Sequence, residues 1–346
     1  MQTRGYAAQA PDQPLAPFTF ERRGLGDRDV QVAIDFCGIC HSDIHFARNE
    51  WGFTTYPCVP GHEIIGHVVT TGKSVRRLEP GQRVGVGCFV NSCGHCSRCR
   101  SGHENYCENG FTMTYGSMEA DGITPTFGGY ATQIVVDDHF VFTLPDGLDA
   151  AASAPLLCAG ITTYTPMREA GIAEGSRVAV MGLGGLGHMG VKLAASFGAE
   201  VTVLSRSPEK EEDARKLGAT DFVLTNTAGA LEALAGRYDA ILDTISARHD
   251  LTGALNCLKA GGTLMLVGAS PEPLEFNAMP LLFGGRRIVG SLVGGVPDTQ
   301  AMLDHCGHHG IVSDIERITP AEINTAYERT LKGDVKYRFV IDCTKF

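Results

Sequence analysis

The chain has 346 residues, 43% of them hydrophobic and 20% charged, with a formal net charge of -10. That length exceeds what one core usually fills, so two domains are expected, and acidity spread along the chain argues against nucleic acid or an anionic membrane as partner. There is no run of about 18 apolar residues and no signal-like apolar core near Met1, so a soluble, cytoplasmic protein is expected, in which the cysteines read as metal ligands and small buried hydrophobes before disulfides.

Residues 1–155 are rich in glycine, proline and short β-branched runs: Val30-Gln-Val-Ala-Ile34, Glu63-Ile-Ile-Gly-His-Val-Val69 and Gln82-Arg-Val-Gly-Val86. With turns such as Pro80-Gly81 between them, they predict an all-β, barrel-like domain. It contains Cys37-Gly-Ile-Cys40-His41-Ser42-Asp43-Ile44-His45 and Gly61-His62-Glu63-Ile-Ile-Gly66, in which each cysteine or histidine taken alone reads as core or surface. Further on stand Cys93, Cys96, Cys99 and Cys107, in the pattern C-x2-C-x2-C-x7-C. That spacing brings four thiolates within reach of one tetrahedral Zn²⁺. A bacterial ferredoxin run has a shorter last gap and a proline after its fourth cysteine, whereas Glu108 follows here, which disfavours an iron-sulfur cluster. Disulfides remain the alternative, and the acidity opposes a nucleic-acid-binding zinc module. A zinc ion ligated by four thiolates has no open position, so it is structural and the chemistry lies elsewhere.

From 156 to 295 strands and helices alternate. Arg177–Met181 reads as a buried strand, Leu186–Phe197 as a helix closed by Gly198, and Val201–Leu204 as the next strand. Ser207 and Pro208 open a charged helix as N-cap and first residue, and Gly218 ends it. Further strands are expected at Phe222–Leu224, Asp239–Asp243, Thr263–Val267 and Arg287–Leu292. Six strands with intervening helices match an α/β, doubly wound Rossmann fold with a parallel sheet. Gly182-Leu-Gly184-Gly185-Leu186-Gly187 follows a strand and opens a helix, the setting in which G-x-G-x-x-G cradles a pyrophosphate. Gly182 permits the tight turn, Gly184 the approach of backbone to phosphate, and Gly187 close helix-strand packing. Val267, ending its strand, joins the cofactor set.

At the end of the second strand an NAD site carries an acidic residue for the ribose 2′-hydroxyl; this chain has Ser205, then Arg206, Ser207 and, one turn on, Lys210. Hydroxyls and cations without a carboxylate predict NADP(H), although Arg206 and Lys210 also suit solvated surface. After Gly295 the pattern loosens, and Tyr337–Asp342 again reads as β, so residues 296–346 are expected to return to the first domain.

These motifs together resemble the zinc-dependent medium-chain alcohol dehydrogenases over essentially the whole length, within them the cinnamyl alcohol dehydrogenase-like group, whose Cys-Gly-x-Cys-His-Ser-Asp and Gly-His-Glu-Ile-x-Gly motifs stand at 37–43 and 61–66. The resemblance implies a GroES-like catalytic domain and two zinc ions per chain. It puts the catalytic zinc on Cys40, His62 and Cys158, with Cys37 outside the set, Glu63 able to enter the metal shell, and Asp43 supporting a ligand. It also implies a proton relay from Ser42 to His45, His41 near the cofactor pyrophosphate, and Thr162 by the nicotinamide. The lesser alternative for His45 is a surface histidine, and Trp51, the single tryptophan, suits a substrate pocket and the core equally. The implied reaction is hydride transfer between NADP(H) and a primary alcohol or aldehyde, aromatic or medium-chain aliphatic, by a homodimer. Two rivals remain. An NAD-dependent polyol dehydrogenase is opposed by Ser205, and a silent NADPH-binding scaffold by the retained Cys40, Ser42, His62 and Cys158.

Overall fold

All residues, 1–346, are described by the computed structural model. The β-branched runs of the first unit, Met1–Cys158 with Gly294–Phe346, form β1 (Gln2–Ala7), β2 (Ala16–Glu21), β3 (Asp29–Gly38), β4 (Ile64–Thr71), β5 (Arg83–Val86), β6 (Phe89–Ser92), β7 (Phe111–Met113), β8 (Gln133–Asp137) and β9 (Val141–Thr143). The second unit, Ala159–Val293, holds β10 (Arg177–Met181), β11 (Glu200–Ser205), β12 (Asp221–Leu224), β13 (Tyr238–Asp243), β14 (Leu258–Leu266) and β15 (Arg287–Gly290). The chain then returns to the first unit with β16 (Ile315–Ile318) and β17 (Arg338–Asp342).

In the first unit the main sheet runs β16-β17-β3-β4-β5-β9, with β8 also on β3, and β1-β2 and β6-β7 form separate pairs. β3 organises it. Val30, Val32 and Ile34 alternate into the core, as a period of two requires. A register irregularity between Ile34 and Phe36 then shifts the phase, so that Cys37 is the next residue fully buried. Along one edge β3 pairs first with β8, through Asp29–Ala33, and then with β17, through Phe36–Gly38. The apolar tail strand β17 thus lies beside the approach to Cys40, and Ile39 N donates to Phe339 O at 2.9 Å.

The second unit is a parallel sheet in the order β12-β11-β10-β13-β14-β15. This is the doubly wound arrangement, whose strand order reverses between β10 and β13, where such folds bind dinucleotides. Val178, Ala179 and Val180 on β10 and Ile241 and Leu242 on β13 are wholly buried, as expected for central parallel strands.

Several boundaries differ from the sequence reading. The junctions fall at Cys158/Ala159 and Val293/Gly294 rather than at 155/156 and 295/296. The turn Ala154–Leu157 stays with the first unit because Leu157 packs tightly over Gly85 of β5. The helix after the glycine turn spans Gly187–Ser196. Ser207 occupies an N-cap position, but its side chain makes no cap bond, and Pro208–Lys210 is a 3-10 turn before the helix Glu211–Lys216. β14 begins at Leu258, which pairs with Tyr238 ahead of a register shift. No helix is long and apolar enough to cross a membrane.

One buried carboxylate ties the cysteine-rich lobe to the helix Val296–His309. Glu104 accepts from Val296 N at 3.0 Å, at that helix's N-terminus, and meets His139 Nε2 at 2.9 Å. Burial would raise its pKa, but these donors outweigh burial and lower it. Glu104→Ala should cost about 1–3 kcal/mol near neutral pH, read as a lowered urea midpoint. A depressed carboxylate stabilises above its unfolded pKa and loses that contribution as pH falls through the folded value, so wild type and variant should converge in acid.

Candidate active site

The side chains of Cys40, His62, Glu63 and Cys158 place one ligand atom each within 4.8 Å of one another. Cys40 stands at the N-cap of the helix His41–Ala47, and its backbone N donates to Asp43 Oδ2 at 2.9 Å. The other oxygen, Oδ1, accepts from Gly61 N at 3.0 Å and lies 3.2 Å from His62 Nδ1. Engaging Nδ1 leaves Nε2 as the histidine nitrogen free for a metal. Gly61, at φ +106°, takes a backbone conformation that L side chains rarely adopt, and a Cβ there would run into Tyr130, Cys37 and Gly129. Tyr130 O–H donates to Asp43 Oδ2 at 3.2 Å.

The two sulfurs, Cys40 Sγ and Cys158 Sγ, are 3.9 Å apart. A tetrahedral ion with zinc–sulfur bonds of about 2.3 Å places its sulfurs about 3.8 Å apart, so the spacing fits. The Cys40 thiol is held well below the usual range by its hydrogen bond with Cys158, with Arg338 and His62 adding positive charge. Glu63, fully buried, is pushed up to about 7 by desolvation against the pull of Arg338. One of its oxygens, Oε1, accepts from Arg338 Nη2 of β17, and the other, Oε2, has no hydrogen-bond partner. A buried carboxylate oxygen without a donor, beside two thiols and an imidazole, is a donor set suited to a divalent cation. Cys37 lies outside the cluster: its Sγ turns to Gly38 O, and burial pushes its thiol well up.

Ser42 Oγ lies 3.7 Å from Cys40 Sγ. His45, one turn along the same helix, has Nδ1 2.5 Å from Glu50 Oε2, a partner that the sequence reading did not identify. His41 is exposed. Trp51 is 42% exposed and so is not core. Its ring centroid is 5.1 Å from Phe46, which lies 5.0 Å from Tyr115, which in turn stacks on His62 at 5.7 Å. An aromatic wall therefore leads from the surface to the cluster.

The second cluster is Cys93, Cys96, Cys99 and Cys107, likewise within 4.8 Å of one another. Its sulfur separations of 3.8 Å (Cys93–Cys99), 3.5 Å (Cys96–Cys99) and 4.0 Å (Cys96–Cys107) are far beyond the ~2.05 Å of a disulfide. All twelve cysteines are free thiols. Crowding separates the four. Asn109 and the backbone of His95 lower Cys93 to about 5, while burial lifts Cys99 to about 12. A cation at their centre would let all four ionise together.

In the second unit Gly182 has φ +87°, which serves the tight turn after β10, and a Cβ on Gly187 would collide with Gly182 O. Gly184 is exposed, and nothing lies within 4 Å of where its Cβ would be, leaving space over the turn. Gly185 and Leu186 complete it, with Leu186 at the N-cap of the helix. Ser205 ends β11 buried, its Oγ accepting from Ser207 N at 3.2 Å. Arg206 is exposed, and Lys210 Nζ donates to Leu183 O at 2.8 Å, so Lys210 reaches back to the glycine turn. Val267 follows β14, and its N donates to Asp243 O at 3.0 Å. Thr162 is buried within the helix Ala159–Glu169.

A metal-ligating cluster and a doubly wound dinucleotide fold in one chain define a metal-dependent oxidoreductase. Two family models match: "Alcohol dehydrogenase GroES-like domain" over residues 26–146 and "Zinc-binding dehydrogenase" over 185–307. An NADP-dependent alcohol dehydrogenase of Mycolicibacterium smegmatis is 51% identical over 97% of this chain and 97% of its own length. The structure of a cinnamyl alcohol dehydrogenase from Sorghum bicolor superposes with a TM-score of 0.96 at 44% identity, covering 99% of this chain and 98% of that one. A Helicobacter pylori cinnamyl alcohol dehydrogenase complexed with NADP(H) gives 0.93 at 39%, covering 100% and 99%. The chain belongs to the zinc-dependent medium-chain alcohol dehydrogenases, in their cinnamyl alcohol dehydrogenase-like group.

Arg338 had no local signal apart from being a charged residue at the start of a terminal strand whose centre, Phe339–Ile341, is apolar. Arg338→Met leaves the Glu63 carboxylate buried and unpaired, and should cost about 3–5 kcal/mol in urea unfolding, with Arg338→Lys intermediate.

Proposed function

We propose that the protein interconverts primary alcohols and aldehydes, aromatic or medium-chain aliphatic, with NADP(H) as hydride carrier. The observation that carries this reading is the Cys40, His62, Glu63 and Cys158 cluster with the Ser42 hydroxyl 3.7 Å from Cys40 Sγ. Cys40, His62 and Cys158 would hold the catalytic zinc, with Glu63 able to join them, and Cys93, Cys96, Cys99 and Cys107 the structural one. Zinc at the first site supplies Lewis acidity to a carbonyl or alcohol oxygen.

The chain's own groups handle orientation and protons. Asp43 fixes the His62 ring. The Ser42 hydroxyl, able to donate and to accept, stands next to the site where the substrate oxygen would lie. Glu50 engages His45 Nδ1, so that Nε2 is the nitrogen left to take or give a proton. The wall of Trp51, Phe46 and Tyr115 favours an aromatic or extended apolar substrate.

For the cofactor, the glycine turn would take the pyrophosphate. Ser205, Arg206, Ser207 and Lys210 would take a 2′-phosphate, with no carboxylate ending β11 to repel it. The NADP(H) complex of the Helicobacter pylori relative supports this choice.

A homodimer is favoured by the free edge of β15 and by apolar residues beside it, Leu282 at 74% and Phe283 at 84% exposure, with Phe276, Met279 and Leu292 also exposed. An uncovered edge strand next to an apolar face suits two-fold pairing with a second copy. Free thiols throughout suit a reducing, cytoplasmic compartment.

Metal analysis of the purified protein should find two zinc ions per chain, and Cys158→Ala about one, with NADPH oxidation lost across an aldehyde panel. A single zinc in wild type, or unchanged turnover in the variant, would refute the assignment. Ser205→Asp should move the NADPH/NADH ratio of kcat/KM toward NADH by at least about tenfold, some 1.4 kcal/mol; an unmoved ratio means the 2′-phosphate is read elsewhere. Leu282→Asp combined with Phe283→Asp should reduce the mass in light scattering from a dimer to the 36.9 kDa chain. A wild-type protein already of that mass removes the dimer.

A further inference from the structure

The loop after β13 carries a histidine–carboxylate pair with no part in the chemistry above. Asp243 ends β13 at the point where the strand order reverses, and is buried. Its Oδ1 accepts from Ile245 N at 3.0 Å, and its Oδ2 lies 2.7 Å from His249 Nε2. The other ring nitrogen, Nδ1, lies 2.8 Å from Ala247 O. A carbonyl oxygen only accepts, and so does an ionised carboxylate, so both ring nitrogens must donate; only the imidazolium can make both bonds. The hydrogen bond to Asp243 raises the His249 pKa against the opposing effect of burial, with Ala247 O and Asp250 adding to the rise.

This loop touches both walls of the dinucleotide cleft. Thr244 N and Oγ1 donate to Met181 O at 3.1 and 2.8 Å, just before the glycine turn. A Cβ at Gly182 or Gly187 would lie 3.0 or 3.3 Å from Thr244 Oγ1, and one at Gly268 would run into the backbone of Ile245. Val267 N and Gly268 N donate to Asp243 O at 3.0 and 3.1 Å. Residues 243–249 are therefore wedged between the phosphate-binding turn and the end of β14.

We propose that His249 is a positioning residue for the dinucleotide: as an imidazolium clamped between Asp243 and Ala247 it locks this loop against the glycine turn, and its deprotonation loosens the cofactor site. The proposal rests on reading Gly182–Gly187 as a dinucleotide site. The charged groups around His249 are few. They are Asp243 on β13, Asp250 capping the helix Leu251–Cys257, and the Arg248–Glu275 pair at 3.0 Å. The glycine turn and the end of β14 carry no titratable side chain of their own; Lys210 Nζ reaches the turn from outside, 2.8 Å from Leu183 O, and His188 beyond it has Nδ1 3.2 Å from Gly184 O. A raised folded-state histidine keeps both bonds at low pH and loses one as pH rises through the folded pKa, so the affinity loss falls on the alkaline side.

The test is NADPH binding to the zinc-loaded protein, followed by fluorescence from about pH 6 to about pH 9, with the His249 ring followed by NMR over the same range. The wild-type Kd should rise several-fold in step with a His249 titration lying above the ordinary histidine value. His249→Gln should bind NADPH several-fold more weakly at the acid end and lose that pH dependence, with the effect greater in KM for NADPH than in kcat. An identical pH profile in His249→Gln, or a His249 ring titrating at or below the ordinary value, overturns the proposal while leaving the dinucleotide site intact. Wild-type protein that binds no NADPH at any pH overturns both.

Discussion

Asp43 has no exposure to solvent, and its two oxygens meet four donors: the backbone N of Cys40 and of Gly61, Tyr130 O–H and His62 Nδ1. A carboxylate in such surroundings without donors would cost several kcal/mol, so the start of the helix His41–Ala47 and the Gly61–His62 turn have to converge on it. That convergence brings Cys40 and His62 together, turns Nε2 of His62 toward the cluster and keeps Ser42 beside Cys40. Tyr130 extends the arrangement by a 3.5 Å hydroxyl contact from Tyr327 in the helix Ile323–Leu331, so the returning C-terminal segment helps to hold the site.

The two cysteine clusters differ in what surrounds them. The lobe of Cys93, Cys96, Cys99 and Cys107 is closed by four sulfurs that receive backbone N–H groups from within the lobe, including Cys96 N and Cys99 N at 3.4 Å. Its role is to shape a loop that Glu104 then fastens to the helix Val296–His309. The cluster of Cys40, His62 and Cys158 mixes thiols, an imidazole and a carboxylate whose charge Arg338 balances. Two thiolates and a neutral imidazole would leave a divalent zinc formally uncharged, free to attract a substrate oxygen without holding an anion too tightly.

Local patterns made much of this legible. The spacing of Cys93 to Cys107, the glycine turn after a strand and the serine in place of an acid at 205 each depend on residues close in sequence, so the pattern itself carries the physics. The partners of those residues were not legible. Glu50 lies on the surface five residues from His45 and looks like any solvated acid. Tyr115 reaches His62 only by ring stacking across the fold. Arg338 sits on a strand that meets Glu63 through pairing between the two ends of the chain. The capping bond expected from the Ser207 hydroxyl is absent, and the Lys210 amide donates to the Ser207 backbone O at 3.2 Å instead.

From the sequence alone followed the two-domain α/β plan and the four-cysteine cluster, because periodicity, glycine placement and close ligand spacing are short-range properties, while the set of Cys40, His62 and Cys158 and its chemistry came from the family resemblance of the motifs around them. Only the tertiary structure decided which histidine nitrogen Asp43 engages, which arginine neutralises Glu63, that Trp51 is a surface aromatic joined to the cluster, and that His249 is paired with Asp243. Those outcomes depend on burial, which sets what a charge or donor must find as a partner. Burial is a property of the whole fold that no single stretch of sequence contains.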